Sequence, residues 1–267
     1  MSSSNNNITF SVVIPVYNGA ATILRALASV VNQRYNPHQI IVVDDASTDN
    51  TCQLIKDKYG DTIILICKSK NEGSGAARND GMNIATGSHI AFLDADDMWH
   101  KYKLQVIADV LTSKQDIVLL YHDYTLNDVS KSLVPHELLV DKVSFGRLLV
   151  GNLIATPCMV IRNDKKWRYE PTMRYTEDYD LCLRITYYHS AYYLPVQLTG
   201  LSRAITTPGG ISANKWAMRK GELRSYSRLA LLNKAFILLI PILWAWSVTK
   251  HIIKLANDAS SPTNDPK

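Results

Sequence analysis

The stretch QIIVVDDASTDNT, residues 39–51, reads as a strand that ends on two carboxylates and passes into a helix. Ile40–Val43 is a continuous apolar run, and a strand covered on both faces needs continuity where a half-solvated one alternates. Working outward, the same grammar recurs in FSVVIP at 10–15, TIILIC at 62–67 and HIAFL at 89–93. Stretches of helical length separate and follow these runs: Thr22–Asn32, Asn50–Tyr59, Gly75–Ala85 and Lys101–Ser113. The alternation predicts an α/β fold with a parallel or mostly parallel sheet and right-handed crossovers. Ile117–Tyr121 is expected to add a strand. Beyond about residue 125 the pattern loosens, with Lys142–Val150 expected as a helix, Met159–Arg162 as a strand, Tyr179–Tyr188 as a helix and Ala191–Pro195 as a short strand. This second half reads as an elaboration of the same domain.

The composition agrees. Of 267 residues, 46% are hydrophobic and 20% charged, which excludes wholesale disorder, a collagen-like fibre and a polytopic membrane protein. Cys52, Cys67, Cys158 and Cys182 form no CxxC pair and are expected as four buried thiols in a reducing compartment. The start, MSSSNNNITF, lacks the basic and apolar regions of a secretory signal, so the expected compartment is the cytoplasm. The net charge of +5 is uneven, because from Arg203 onward ten basic residues face three acidic ones. That basicity points to a local anionic surface as partner and away from a nucleic-acid-binding protein.

In a doubly wound sheet, ligands bind beyond the carboxyl ends of the strands. Asp44 and Asp45 follow Ile40–Val43 directly, and Asp94, Asp96 and Asp97 follow Ile90–Leu93. Both acid groups are therefore expected at one edge of the sheet. A single Asp there serves to cap the next helix. Five exceed that use, and clustered like charges are costly unless a cation sits among them. Asp94-Ala95-Asp96 can aim two carboxylates at one ion, and hard oxygen ligands suit Mg²⁺ or Mn²⁺. Such an ion would neutralise charge building on a diphosphate leaving group.

The first strand runs into Pro15-Val16-Tyr17-Asn18-Gly19 in place of GxGxxG, and no GxxxxGK[ST] occurs. Both absences speak against a dinucleotide-binding domain and a P-loop NTPase. In NEGSGAARN, residues 71–79, Arg78 is placed to reach a phosphate or base, or else to pair with a structural acid. Glu177-Asp178-Tyr179-Asp180 opens a helix, where acids complement the dipole; one of them alternatively serves as general base for an acceptor hydroxyl. The seven histidines show neither HxH nor HExxH spacing and read as surface or core residues.

The tail differs in kind. Lys220, Arg224 and Arg228 share one helical face. AFILLIPILWAWSV, residues 235–248, follows, broken by Pro241 and Ser247 and flanked by Lys234, Lys250, His251 and Lys254. These fourteen residues fall short of the roughly twenty of a membrane-spanning helix. An interfacial helix beside a basic face is the favoured expectation, with a core-packing helix and a true span as the others.

Taken in order, SVVIPVYNGA at 11–20, IIVVDDASTDNT at 40–51, NEGSGAARN at 71–79, IAFLDADDMW at 90–99 and TEDYDLCLRI at 176–185 resemble the family 2 glycosyltransferases, of the bacterial surface-polysaccharide type. The resemblance covers about residues 8–200 and implies the GT-A fold, a Rossmann-like, mostly parallel sheet flanked by helices, here with a C-terminal helical membrane-associating tail. The organisation it implies is a disordered 1–7, a glycosyltransferase domain at 8–215 with a nucleotide-sugar half (8–100) and an acceptor half (101–215), a basic and hydrophobic tail at 216–256, and a disordered 257–267. Asp45, beside Asp44, matches the base-contacting position, with Pro15, Val16 and Tyr17 lining the same pocket. Arg78 matches an arginine on the nucleotide side, Asp94-Ala95-Asp96 the DxD that holds the metal through the donor diphosphate, and Asp178 the catalytic base, with Glu177 beside it. Gly209-Gly210-Ile211-Ser212 resembles a loop near the donor site.

What the resemblance implies is an inverting, metal-dependent transfer of a sugar from a nucleotide sugar, UDP favoured, to a glycan hydroxyl. The acceptor would be a polyprenyl-diphosphate-linked oligosaccharide at the cytoplasmic membrane surface. The alternatives are a polyprenyl-phosphate sugar synthase, which needs no general base, and a non-catalytic nucleotide-sugar-binding module. A nucleotidyltransferase is more remote, lacking a basic pyrophosphate loop near the first strand.

Overall fold

The computed structural model describes residues 7–204 and 214–260, with side chains as far as Ile253. The expected disorder of 1–7 and 257–267 and the glycine loop at 209–212 fall wholly or largely outside these residues. The strands are β1 (Phe10–Val16), β2 (Gln39–Asp44), β3 (Ile64–Cys67), β4 (His89–Phe92), β5 (Met98–Trp99), β6 (Leu119–Thr125), β7 (Asp141–Val143), β8 (Met159–Arg162) and β9 (Ala191–Gly200). The helices are α1 (Ile23–Val31), α2 (Thr51–Tyr59), α3 (Ser74–Ile84), α4 (Lys103–Ser113), α5 (Phe145–Val150), α6 (Glu177–Tyr188), α7 (Lys215–Leu232) and α8 (Phe236–Ser260).

One sheet runs in the order β3-β2-β1-β4-β8-β6-β9-β5, with β7 added against β9. Every residue of β1 is buried, because helices cover both faces. Phe10, Val12, Ile14 and Val16 enter one core with α1, α2 and α4, while Val13 enters the other with α3, α5, α6 and α7. The pairings β1–β2, β1–β4 and β2–β3 are parallel, as the continuous runs predict. The second half makes the sheet mixed: β8 runs antiparallel between β4 and β6, whereas β6 and β9 are parallel. Two antiparallel steps restore direction, so the carboxyl ends of β6 and β4 lie at the same edge.

Several elements depart from the sequence reading. The helix expected at 142–150 is β7 followed by α5; Ser144 Oγ accepts the Arg147 N–H and starts the helix late. The strand expected at 191–195 continues to Gly200. Its register against β6 shifts between His122 and Asp123, and the skipped residues include Pro195, whose missing N–H a bulge tolerates. The four-thiol expectation is corrected too. Cys52 on α2 and Cys67 at the end of β3 are joined as a disulfide, and Cys158 and Cys182 are the buried free thiols. The α2 crossover folds back onto β3 and brings together residues whose spacing of 15 shows no motif. Cysteine usage is thereby lost as an argument for a reducing compartment.

The tail is corrected in two respects. α8 continues through Pro241 for 25 residues. Its Phe236–Ile253 window of 18 residues is long and apolar enough to cross a membrane by length and composition. The basic stripe of α7 is largely spent on the protein body. Arg224 donates to the Thr172 carbonyl at 2.9 Å, and Arg228 pairs with Glu170 and Asp180, each at 2.7 Å.

Candidate active site

β1 sits between β2 and β4, where the chain reverses the direction in which it adds strands, so a crevice opens beyond these carboxyl ends. Val16 is in register with Asp44, and Val13 with Phe92. The acids after β2 and β4 therefore flank Pro15 and Val16 from either side, about two strand spacings apart, or ~10 Å. Pro15 and Val16 are buried and Tyr17 is exposed at the rim.

Asp45 is buried, accepts the Glu72 and Gly73 N–H groups at 3.0 and 2.6 Å, and pairs with Lys68 at 3.0 Å. Lys68 also meets Glu72 at 2.8 Å and Asp80 at 3.3 Å, which ties the end of β3 to that of β2. Asp44 turns the chain through its Oδ1, which accepts the Ser47 N–H at 2.6 Å. Its Oδ2 is buried with no partner among the described residues.

Arg78 is the centre of the site. Its buried guanidinium reaches Asp94 at 2.7 Å and Glu177 at 3.4 Å, and lies 5.5 Å from the centre of the Tyr169 ring. A charged strut thus links the end of β4 to the first turn of α6, sequence neighbours of nothing but each other's chemistry. Of the two readings open for Arg78, pairing with an acid is seen here, and contact with a donor phosphate or base stays a proposal. Glu177 also accepts from Ser74 Oγ at 2.8 Å, and Gly75 permits this: a Cβ there would stand 3.1 Å from Glu177 Cγ.

Asp178 stands apart from that strut. Its carboxylate is partly buried, accepting from Thr156 Oγ1 at 3.2 Å and from the Tyr179 N–H at 2.7 Å. Burial, and then the adjacent Glu177 charge, push its carboxyl up to about 6, against the opposing pull of the Tyr179 N–H, Arg78 and Thr156. The residue before the pair, Thr176, has φ of 58°, a left-handed conformation costly for a β-branched side chain.

Asp96 exposes 32% of its side chain, accepts from Ser202 Oγ at 2.9 Å and pairs with Arg203 at 3.2 Å. Asp97 is buried, accepts the Ser202 N–H at 2.9 Å, and its carboxyl is pushed up to about 7 by burial and by the Asp94 charge. Among the described residues no group of three or more His, Cys, Asp or Glu makes a metal cage. The oxygen donors of Asp94 and Asp96 fit a hard divalent ion of the kind held by one or two carboxylates and completed by phosphate oxygens. Thr156, Tyr169, Ser202 and Arg203 belong to the site and escaped the sequence reading, since Thr156 opens a single 3-10 turn and the others lie in loops, all without periodic pattern.

A parallel β3-β2-β1-β4 core, acid-bearing strand ends and an antiparallel β8 joining the second half define a GT-A fold. The chain belongs to glycosyl transferase family 2, whose family pattern matches residues 11–148. It is 32% identical over 192 residues to the amylovoran biosynthesis glycosyltransferase AmsB of Erwinia amylovora, covering 67% of this chain and 64% of that protein. The chain spans less than two thirds of the length of the first curated relatives it matches. It is 30% identical over 175 residues to the Escherichia coli UDP-Glc:alpha-D-GlcNAc-diphosphoundecaprenol beta-1,3-glucosyltransferase WfgD, covering 66% of this chain and 68% of that one. In fold it is similar to the mannosyltransferase PcManGT of Pyrobaculum calidifontis in complex with GDP-Man and Mn²⁺, with a TM-score of 0.63 and 16% identity over 97% of this chain and 77% of that one.

Proposed function

We propose that this chain transfers a sugar, with inversion, from a nucleotide-sugar donor, UDP favoured, to a hydroxyl of a lipid-diphosphate-linked glycan at the cytoplasmic face of the cell membrane. The observation that carries the reading is Asp178, a carboxylate of raised proton affinity next in sequence to Glu177, which the Arg78 strut joins to Asp94. A sugar hydroxyl is a weak nucleophile at neutral pH, and a positioned carboxylate accepts its proton as the new bond forms. The hydroxyl oxygen bonds to the anomeric carbon from the face opposite the leaving group. The bond from that carbon to the diphosphate oxygen breaks, and the nucleoside diphosphate departs with the electron pair.

The remaining roles belong to the same proposal. Pro15, Val16, Tyr17, Asp44 and Asp45 line the donor's base and ribose, with Ala95 between the diphosphate-facing acids. Arg78 fixes Asp94 and Glu177, so Glu177 acts by positioning the first turn of α6. Asp94 and Asp96 would hold Mg²⁺ or Mn²⁺ with the donor diphosphate, and the bound ion would offset charge on the leaving group. The domain division at residue 215 and a membrane role for the tail belong to the same proposal, supported by the apolar surface of α8. The relatives support the chemistry: WfgD is named for a UDP-glucose donor and a diphosphoundecaprenol-linked acceptor.

Asp178→Asn tests this directly. Transfer is expected to fall about 100- to 10,000-fold, as loss of a general base does. Stabilisation by a nucleotide sugar, read as a thermal shift, should persist. Turnover near wild type would remove Asp178 from its role and favour a phosphate acceptor, which needs no base.

A further inference from the structure

A pocket among the described residues lies beside the acid set, not within it. It is an open cavity of about 580 Å³ between β6, β7, β9 and α5. Tyr121 and Asp123 of β6 contribute to it, and the carboxyl end of β6 lies at the same sheet edge as Asp94. Its rim includes Leu153 and Ala155, and the next residue is Thr156, whose hydroxyl holds Asp178. Asp178 is therefore hydrogen-bonded to the residue that follows the pocket wall in sequence.

The lining has a mixed chemistry. Tyr121 and Tyr193 lie 5.2 Å apart, centre to centre, with planes 32° apart, and the Tyr193 hydroxyl donates to Asp123 at 2.6 Å. Arg147, exposed on α5, lines the same pocket, and its guanidinium makes no ion pair among the described residues. Paired rings with a carboxylate at the hydroxyl of one of them suit a sugar, which offers an apolar face and hydroxyl donors. A guanidinium without an acid partner suits a phosphate, which it grips bidentately. Beyond Arg147, α5 ends at Val150, whose carbonyl accepts from Trp246 Nε1 at 3.0 Å and Lys250 Nζ at 2.8 Å. Helix α5 thus carries Arg147 on the pocket wall and, three residues on, the contact with the apolar helix α8.

We infer that this pocket is the acceptor site. Tyr121, Asp123 and Tyr193 take the acceptor sugar, and Arg147 takes the diphosphate that joins it to a lipid whose chain leaves over Val150 and Leu153 toward α8. The inference rests on the proposed transferase reading and adds to it the residues that select the acceptor. Arg147 is a specificity-determining residue here, since no part of it reaches the strut or Asp178.

The test compares two synthetic acceptor sets of matched monosaccharides, one as undecyl diphosphates and one as benzyl glycosides. Each is assayed with a panel of UDP-sugars, Mn²⁺ and the full chain. Arg147→Gln should raise the KM for the diphosphate acceptor roughly 10- to 100-fold, the range expected for a lost charge-assisted contact. It should leave the KM for the benzyl glycoside and the donor KM unchanged, and Arg147→Lys should recover part of the loss. Tyr193→Phe should weaken both acceptor sets alike. Equal KM values for wild type and Arg147→Gln on the diphosphate set would overturn the pocket assignment while leaving the transferase intact. Absence of transfer by wild type to every acceptor would instead overturn the transferase reading and the pocket with it. Arg147 is exposed, so a melting temperature equal to wild type should accompany the variant.

Discussion

At the residue scale, the site turns on two adjacent acids with different surroundings. Glu177 pairs with Arg78 and accepts from Ser74 Oγ, while Asp178 accepts from a hydroxyl and one N–H and is raised to about 6. A general base works only when deprotonated. In the proposed role of Asp178 as base, activity is expected to be full well above pH 6 and to fall as the pH drops through about 6, well above the ordinary Asp midpoint of ~3.9. The pH profile of kcat/KM should show an acid limb near 6. Because the Glu177 charge contributes to the rise, Glu177→Gln should shift that limb to lower pH. A limb near 4 in wild type, or one unmoved in Glu177→Gln, would contradict this account of the pair.

At the element scale, α6 must present its first turn with an accuracy its own sequence does not supply. Thr176 enters it in a left-handed conformation, and α7 crosses behind at Gly221. A Cβ at position 221 would stand 2.5 Å from both Thr176 Oγ1 and the Tyr175 carbonyl oxygen, so backbone would have to move. Gly221→Ala is thus expected to cost about 1–3 kcal/mol by overpacking. That is a drop of roughly 2–12 °C in Tm for a chain of this size. It should also lower kcat more than it raises donor KM, because the displaced turn carries Asp178. An unchanged Tm and kcat would show that α7 does not brace the site. The elements around the site differ in how far the sequence makes them legible. Runs such as Ile40–Val43 declare themselves because a doubly covered strand has no polar positions, and the acids that end them declare the edge. β7, the extension of β9 past Pro195, the Cys52–Cys67 bridge and the partners Thr156 and Tyr169 were not legible. Each depends on which distant segment packs alongside, and no local period records that.

At the scale of the whole molecule, the question is what α8 faces. Leu243, Ser247 and His251, four residues apart, are buried against the body. Ser247 accepts from Arg219 at 2.6 Å, and Lys250 pairs with Glu222 at 2.8 Å. A helix pinned along one stripe to a folded domain lies on a membrane more readily than it crosses one. Its other face is apolar and open, with Leu238 83%, Ile242 65% and Ile252 60% exposed. Two forces would contribute to the proposed membrane attachment. Each apolar side chain fully buried is worth about 1.5–3 kcal/mol, and each basic side chain near an anionic surface about 1 kcal/mol. With Arg224, Arg228 and Lys250 already engaged by the protein, the apolar term dominates. The full chain should therefore sediment with phosphatidylglycerol–phosphatidylethanolamine vesicles and stay bound in high salt, where screening removes the electrostatic part. Leu238→Glu combined with Ile242→Glu and Ile252→Glu should release it at unchanged Tm, since none of the three packs on the body. Release of the wild-type chain by salt alone would assign attachment to charge, and retention of the triple variant would place the membrane contact elsewhere on the molecule.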